Sequence, residues 1–280
     1  MRELSENFIQ TLKGGFLYPL LSLVTGDKDL DLQIRAGYLN IYYKGNSLLK
    51  LTETLGNRFR VDIDPKFTGG ERIPDLIDPE STAAFIARVP LIKERIVEFG
   101  KNSLETEYEQ LIIRANNRER RNNSEYFIVD RQYTVGRERF DLLGIKWARG
   151  RRSRGQTVEP CLMEIKFALN TDISNVHRQL ESYYNLIAAN LAEITSDMES
   201  SFKQRLELGL YDQSANRLAA MKTLHISRAI EDFQIILVLV DYNPHSRHLD
   251  LEKIAALPFA DQVRIYYSGF AMWEKRLSKP

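Results

Sequence analysis

Residues 161–170 read CLMEIKFALN. An apolar run of this kind reads as a buried strand, yet Glu164 and Lys166 stand inside it two positions apart, which puts both charges on one face. Taking ions out of water costs several kcal/mol each unless they are paired and hydrogen-bonded. A chain that places two of them on a buried strand must therefore fold so that other elements cover the strand while its charged face looks into a site.

The flanking pattern supplies that cover. EYFIVDRQYTV (125–135), RERFDLLGIKWA (137–148) and TVEPCLMEIKFA (157–168) read as three successive strands. Ahead of them, SLETEYEQLIIRANNRER (103–120) sets Leu104, Tyr108, Leu111, Ile112 and Ala115 on one helical stripe, with Ser103 as its N-cap. Behind them a long helix capped by Asp172 buries Ile173, Val176, Leu180, Tyr183, Tyr184, Ile187, Leu191 and Ile194, and a further helix lies around SFKQRLELGL (201–210). The most apolar strand, FQIILVLVDY (233–242), follows, then QVRIYYSGFAMW (262–273). From residue 103 the order is α-β-β-β-α-β, an α/β mixed sheet flanked by helices.

The N-terminal part has a different rhythm. NFIQTLKGGFLYPLLSLV (7–24) reads as a short helix interrupted by Gly14, Gly15 and Pro19. DLDLQIR (29–35), YLNIYYKGNSLLKLTE (38–53) and RFRVDID (58–64) alternate apolar and polar residues around turns at Lys44-Gly45-Asn46 and Gly56-Asn57, which predicts an antiparallel meander. Residues 64–81, with three prolines and two glycines, form a connector. The helix of STAAFIARVPLIKERIVEFG (81–100) is expected to kink or split at Pro90 and stop at Gly100. Residues 1–78 are thus an N-terminal helix-plus-meander extension to a domain over 79–280.

Bulk properties narrow the function classes. No stretch approaches the roughly 18 apolar residues of a membrane span, and Met1–Lys13 lacks the pattern of a signal peptide, so a cytoplasmic address without membrane attachment is expected. Cys161, the one cysteine, excludes an internal disulfide and a thiolate zinc cluster. With 39 basic and 38 acidic residues the net charge is +1, so any binding of nucleic acid must come from local patches. Two such patches exist: KWARGRRSRG (146–155), with Arg149, Arg151, Arg152 and Arg154, and the weaker RANNRERR (114–121). The former could follow a phosphate backbone or be a solvated loop. His245 and His248 are spaced like a metal pair but lack partners in sequence, and read as a loop.

Asp141 lies in RERFDLLGI, and 164 − 141 − 1 = 22 residues separate it from Glu164, a spacing that suits neighbouring strands joined by a hairpin. Two carboxylates on adjacent strands can share a hard divalent cation, which prefers oxygen ligands and keeps several waters. A lysine beside it can orient or deprotonate a water and offset charge on a phosphate.

This constellation resembles the PD-(D/E)xK (restriction-endonuclease-like) nuclease superfamily. FD at 140–141 supplies the aspartate, with Phe140 where the motif has proline, and EIK at 164–166 supplies E-x-K; QLESY at 179–183 is similar to the Q-x-x-x-Y element of RecB-type nucleases. The resemblance covers roughly residues 103–245. It implies a restriction-endonuclease-like αβββαβ core and magnesium- or manganese-dependent hydrolysis of phosphodiester bonds in nucleic acid, with DNA expected ahead of RNA. It also implies roles: Asp141, Glu164 and the Ile165 carbonyl on the metal; Lys166 on the water; Glu105 or Glu109 on a second metal or its hydration shell; Gln179 and Tyr183 supporting substrate or Lys166. The alternative is a non-catalytic nucleic-acid-binding or protein-interaction module on the same fold. A homodimer is compatible with either.

Overall fold

The computed structural model describes residues 2–272 apart from 102, 168–170, 244–245 and 247, and leaves the side chains of 151, 171 and 172 undescribed. The N-terminal segment forms two helices, α1 (Glu6–Gly14) and α2 (Tyr18–Gly26), rather than one interrupted helix. Ser5 caps α1 by accepting from the Phe8 amide. At the break, a Cβ on Gly15 would lie 2.8 Å from the Thr11 Cα, so the chain turns there on a residue without a side chain.

The meander forms as the alternation predicts. Strands β1 (Leu30–Ile34), β2 (Tyr38–Tyr43), β3 (Asn46–Thr54) and β4 (Arg58–Asp62) pair in sequence order, all antiparallel. Lys44 and Gly45 both have positive φ, 47° and 74°, as a two-residue hairpin turn of matching twist requires. The connector carries one short helix, α3 (Pro65–Thr68).

Helix α4 (Pro79–Phe99), opened by a capping box between Asp78 and Ser81, runs through Pro90 without splitting. Pro90 is exposed, so the carbonyl its ring leaves without a partner can face water, while Phe85, Val89, Ile92 and Ile96 keep a buried stripe on either side of it. Helices α1, α2 and α4 close one core over the meander, joined by Leu208 and Leu210 from later in the chain.

Helix α5 (Leu104–Ile113), capped by Ser103, leads into a π-helical turn and then the second sheet. That sheet contains β5 (Tyr126–Val135), β6 (Glu138–Lys146) and β7 (Thr157–Phe167), antiparallel in turn, followed by parallel pairing of β7 with the two-residue β8 (His225–Ile226) and with β9 (Gln234–Val240), and of β9 with β10 (Val263–Ser268). The spatial order is β10-β9-β7-β6-β5. Every residue of β9 is buried, as a strand covered on both faces must be.

Between β7 and β9 runs α6 (Val176–Glu207), followed by α7 (Ala215–Met221); α8 (Leu251–Ala255) precedes β10. Two expectations fail at α6. Its N-cap position is Asn175, after a 3-10 turn over Thr171–Asn175, and not residue 172, whose side chain lies outside the described ones. The helix expected around 201–210 is its continuation: no glycine or proline lies between Val176 and Glu207, and the chain only kinks at Asn190 (φ −124°, ψ 19°), whose side-chain amide donates to the Leu186 carbonyl. Gly209, at φ 70°, ends it.

Helix α6 covers one face of the second sheet and α5 the other, each over its own apolar cluster. A buried polar seam joins the meander to β5. Asp130 accepts from Arg35 and Arg2, and Arg131 reaches toward Asp31 (3.7 Å) with its guanidinium over the Tyr42 ring. Among the described residues no helix is long and apolar enough to cross a membrane.

Candidate active site

The site forms where β6 and β7 part. Their ladder ends at Leu142–Met163, and one step further on the Asp141 carboxylate takes the place of a backbone acceptor, receiving the Ile165 N–H at 2.8 Å. Asp141 reaches that position through a break in β6. Phe140 packs on the α6 side while Leu142 packs on the α5 side, whereas regular alternation would put both on one face. The β5–β6 pairing skips Gln132 and Asp141, and Gln132 has φ 51°. Irregularities of this kind commonly re-aim a side chain beside a site.

Glu164 and Lys166 share the α6 face of β7, as their spacing requires, and pair at 2.7 Å; both are buried. Oε1 of Glu164 receives the Lys166 ammonium at 2.7 Å and the Gln179 side-chain amide at 2.8 Å, and the Tyr183 hydroxyl lies close enough to the carboxylate to favour its charge. The other, Oε2, is buried and has no hydrogen-bond partner among the described residues. Leaving a buried acceptor unsatisfied costs about 1–3 kcal/mol, more when it is charged. Gln179 also donates to the Tyr183 hydroxyl at 2.6 Å, and the Tyr183 ring packs edge-on against Phe140. Gln179 and Tyr183 therefore brace Glu164, the partner of Lys166.

The electrostatics follow from burial in a crowded acidic site. Burial, then the Glu164 charge, pushes the Asp141 carboxyl well up, only partly offset by the Ile165 amide. Burial also pushes Glu164 up against the pull of Lys166. For Lys166, burial favours the neutral amine, but Glu164, with Asp141 and Glu105 behind it, outweighs that and raises it on balance. Lys166 is an ammonium here. Burial and the Glu164 charge push the Tyr183 hydroxyl up, so it remains protonated.

The two helical glutamates separate. Glu109 is buried and committed: it receives the Arg131 Nε and NH2 at 3.0 Å and lies within 3.4 Å of the Gln132 amide. Glu105, one turn earlier on the same side of α5, is exposed, and its charge is felt at Asp141, Glu164 and Lys166. Of the two, Glu105 has a carboxylate available to a ligand.

The basic hairpin lies elsewhere. It joins β6 to β7 at the Lys146–Glu159 end of their ladder, five residues from Asp141, or about 17 Å along the strand at about 3.4 Å per residue. Arg152 is spent on the protein itself, stacking on Trp147 and donating to the Trp147 and Ser124 carbonyls and to Asn123. Arg149 donates its backbone amide to Glu125, and both it and Arg154 are exposed. The Arg151 side chain and His245 lie outside the described residues.

One residue at the site escaped the sequence reading: Arg139, exposed on β6 two positions before Asp141, whose carbonyl lies 3.4 Å from the Tyr183 hydroxyl. Spacing from Asp141 was the signal that could have found it. Among the described residues, no three His, Cys, Asp or Glu side chains gather to hold a metal ion. The oxygen donors present are the Asp141 and Glu164 carboxylates, a set that suits a hard cation held by one or two carboxylates and several waters. Comparisons with protein-family models, with curated proteins and with solved structures give no match, so the assignment of function rests on the site itself.

Proposed function

We propose that this chain hydrolyses phosphodiester bonds of nucleic acid, DNA ahead of RNA, on a restriction-endonuclease-like core with magnesium or manganese. The observation that carries the proposal is the state of Glu164: one oxygen is held by Lys166 and Gln179, while the other is buried near the Asp141 carboxyl with no hydrogen-bond partner among the described residues. Two buried carboxyls repelling each other, with an acceptor left over, is costly for a protein that does nothing with it. It is the arrangement expected of residues that hold a divalent cation, whose part when bound is to polarise the phosphate and acidify a water.

The chain's own residues divide the remaining work. Asp141 and Glu164 supply ligand oxygens, with the Ile165 main chain fixing the first of them through its N–H. Lys166, kept as an ammonium by Glu164, donates to a water or a phosphate oxygen and does not act as the base. Gln179 and Tyr183 hold the Glu164 rotamer, and Glu105 faces the hydration shell. The non-catalytic alternative has one observation in its favour: the direct Glu164–Lys166 pair occupies both groups with each other.

The test is a panel of single-stranded, double-stranded and branched DNA and of RNA, incubated with magnesium, manganese or EDTA. Cleavage that needs the metal and is lost in Lys166→Ala supports the reading. Absence of cleavage of every substrate with either metal refutes it.

A further inference from the structure

Three basic segments far apart in sequence meet at the end of the second sheet remote from the carboxylates. The first is the 3-10 turn Arg120–Asn122 with Asn123 behind it; the second is the 146–155 hairpin; the third is α7 with the residues that follow. Asn123, in the left-handed region at φ 50°, ties them together: its side-chain oxygen receives Arg152 at 3.2 Å and Arg217 at 2.6 Å. The Gly155 amide donates to Thr223 and the His225 amide to the Gln156 carbonyl, which lays the third segment along the hairpin.

The result is a positive surface that the fold does not neutralise. Arg120, Arg121, Arg154 and Lys222 are exposed, and among the described residues none of them has a carboxylate within ion-pair distance. The acids nearest in sequence are used: Glu119 by Lys28 and Arg114, Glu125 by the Arg149 backbone. Burial, then the charges of Arg217 and Arg149, holds the Arg152 guanidinium below its ordinary value, as expected where cations are gathered. Trp147 is buried, and among the described residues no exposed large apolar side chain lies on the three segments to insert into a bilayer.

We infer that Arg120, Arg121, Arg154 and Lys222 form a backbone anchor for nucleic acid, remote from the site of chemistry. The choice of partner rests on the proposed function. The offset of about 17 Å along β6 corresponds to about five base pairs at about 3.4 Å each, so a substrate must extend at least that far to touch both. Contacts of this kind give affinity that falls with salt and carry no sequence preference.

The experiment measures fluorescence anisotropy of a labelled 30-base-pair duplex in EDTA across salt concentrations. It compares wild type with Arg120→Gln/Arg121→Gln/Arg154→Gln/Lys222→Gln and with the milder Arg154→Gln/Lys222→Gln, each checked for an unchanged melt. The slope of log affinity against log salt should flatten by about 0.9 per lost phosphate contact, hence by about 3.6 and 1.8. Unchanged slopes in both variants overturn the anchor even if cleavage is observed, and so does tighter binding to phosphatidylserine vesicles than to the duplex at the same salt. Flattened slopes with no cleavage by wild type support the anchor and count against the nuclease reading alone.

Discussion

Asp141→Asn separates the charge of the site from its packing. Asparagine is close in size to aspartate, and its carbonyl oxygen can accept the Ile165 N–H as the carboxylate does at 2.8 Å. What it loses is the ability to ionise. Burial and Glu164 push the Asp141 carboxyl up from 3.8 to about 8. The sign follows from proton counting. Between those two values the folded protein keeps a proton that the unfolded chain releases, so metal-free stability falls as pH rises through that window and levels off above it. At about 1.4 kcal/mol per pH unit the loss by pH 7 reaches about 4 kcal/mol, and about 2 kcal/mol if half of it is relieved by relaxation and by coupling to Glu164. In EDTA at pH 7 the variant should therefore melt about 4–16 °C above wild type, at roughly 2–4 °C per kcal/mol. The gap should close toward pH 4. Magnesium or manganese should raise the wild-type melt, by about 2.7 kcal/mol at a hundredfold excess over the dissociation constant, and raise the variant much less. Thermal melts of both proteins across pH and metal decide it. A variant no more stable than wild type at pH 7, or equal metal-induced shifts in the two, would refute the claim that Asp141 is a strained carboxylate waiting for a cation.

Lys166→Ala should abolish cleavage while retaining the fold, with 30-base-pair duplex binding in EDTA unchanged; wild-type turnover in this variant removes Lys166 from the chemistry. The two helical glutamates should part company: Glu105→Gln lowers metal-dependent cleavage without a change in the melt, whereas Glu109→Ala, which strands the buried Arg131 guanidinium, costs about 3–5 kcal/mol in a urea titration. Equal effects of the two on stability would contradict the assignment. Cys161 is buried, and burial pushes its thiol up, so it should resist a thiol reagent at pH 8 in the native protein and react at once in urea.

Charges inside an apolar strand point to the candidate site, but they are not a specific signal. Asp130 and Arg131 interrupt the apolar run of β5 in the same way, and they serve the seam with the meander through Arg35, Asp31 and Tyr42. What distinguished Glu164 and Lys166 beforehand was agreement with Asp141 and QLESY at the expected spacings. Pro90 and the long α6 show the complementary failure. At Pro90 a local signal predicted a break where the apolar stripe on either side of it carries the helix through, and in α6 two helices were expected where no helix breaker separates them.

The sequence by itself determined the meander, the three successive strands β5–β7 ahead of a long helix, the faces of β7 and the placing of Gln179 and Tyr183 on one helical face, because these depend on periods of 2 and 3.6 residues that are local properties of a chain. Only the tertiary structure decided which oxygen of Glu164 is bare, which of Glu105 and Glu109 is committed to Arg131, and which end of the β6–β7 ladder carries the basic hairpin. Those depend on contacts between residues distant in sequence and on where two strands part. No periodicity encodes that geometry; it exists only once α5, α6 and the sheet have packed together.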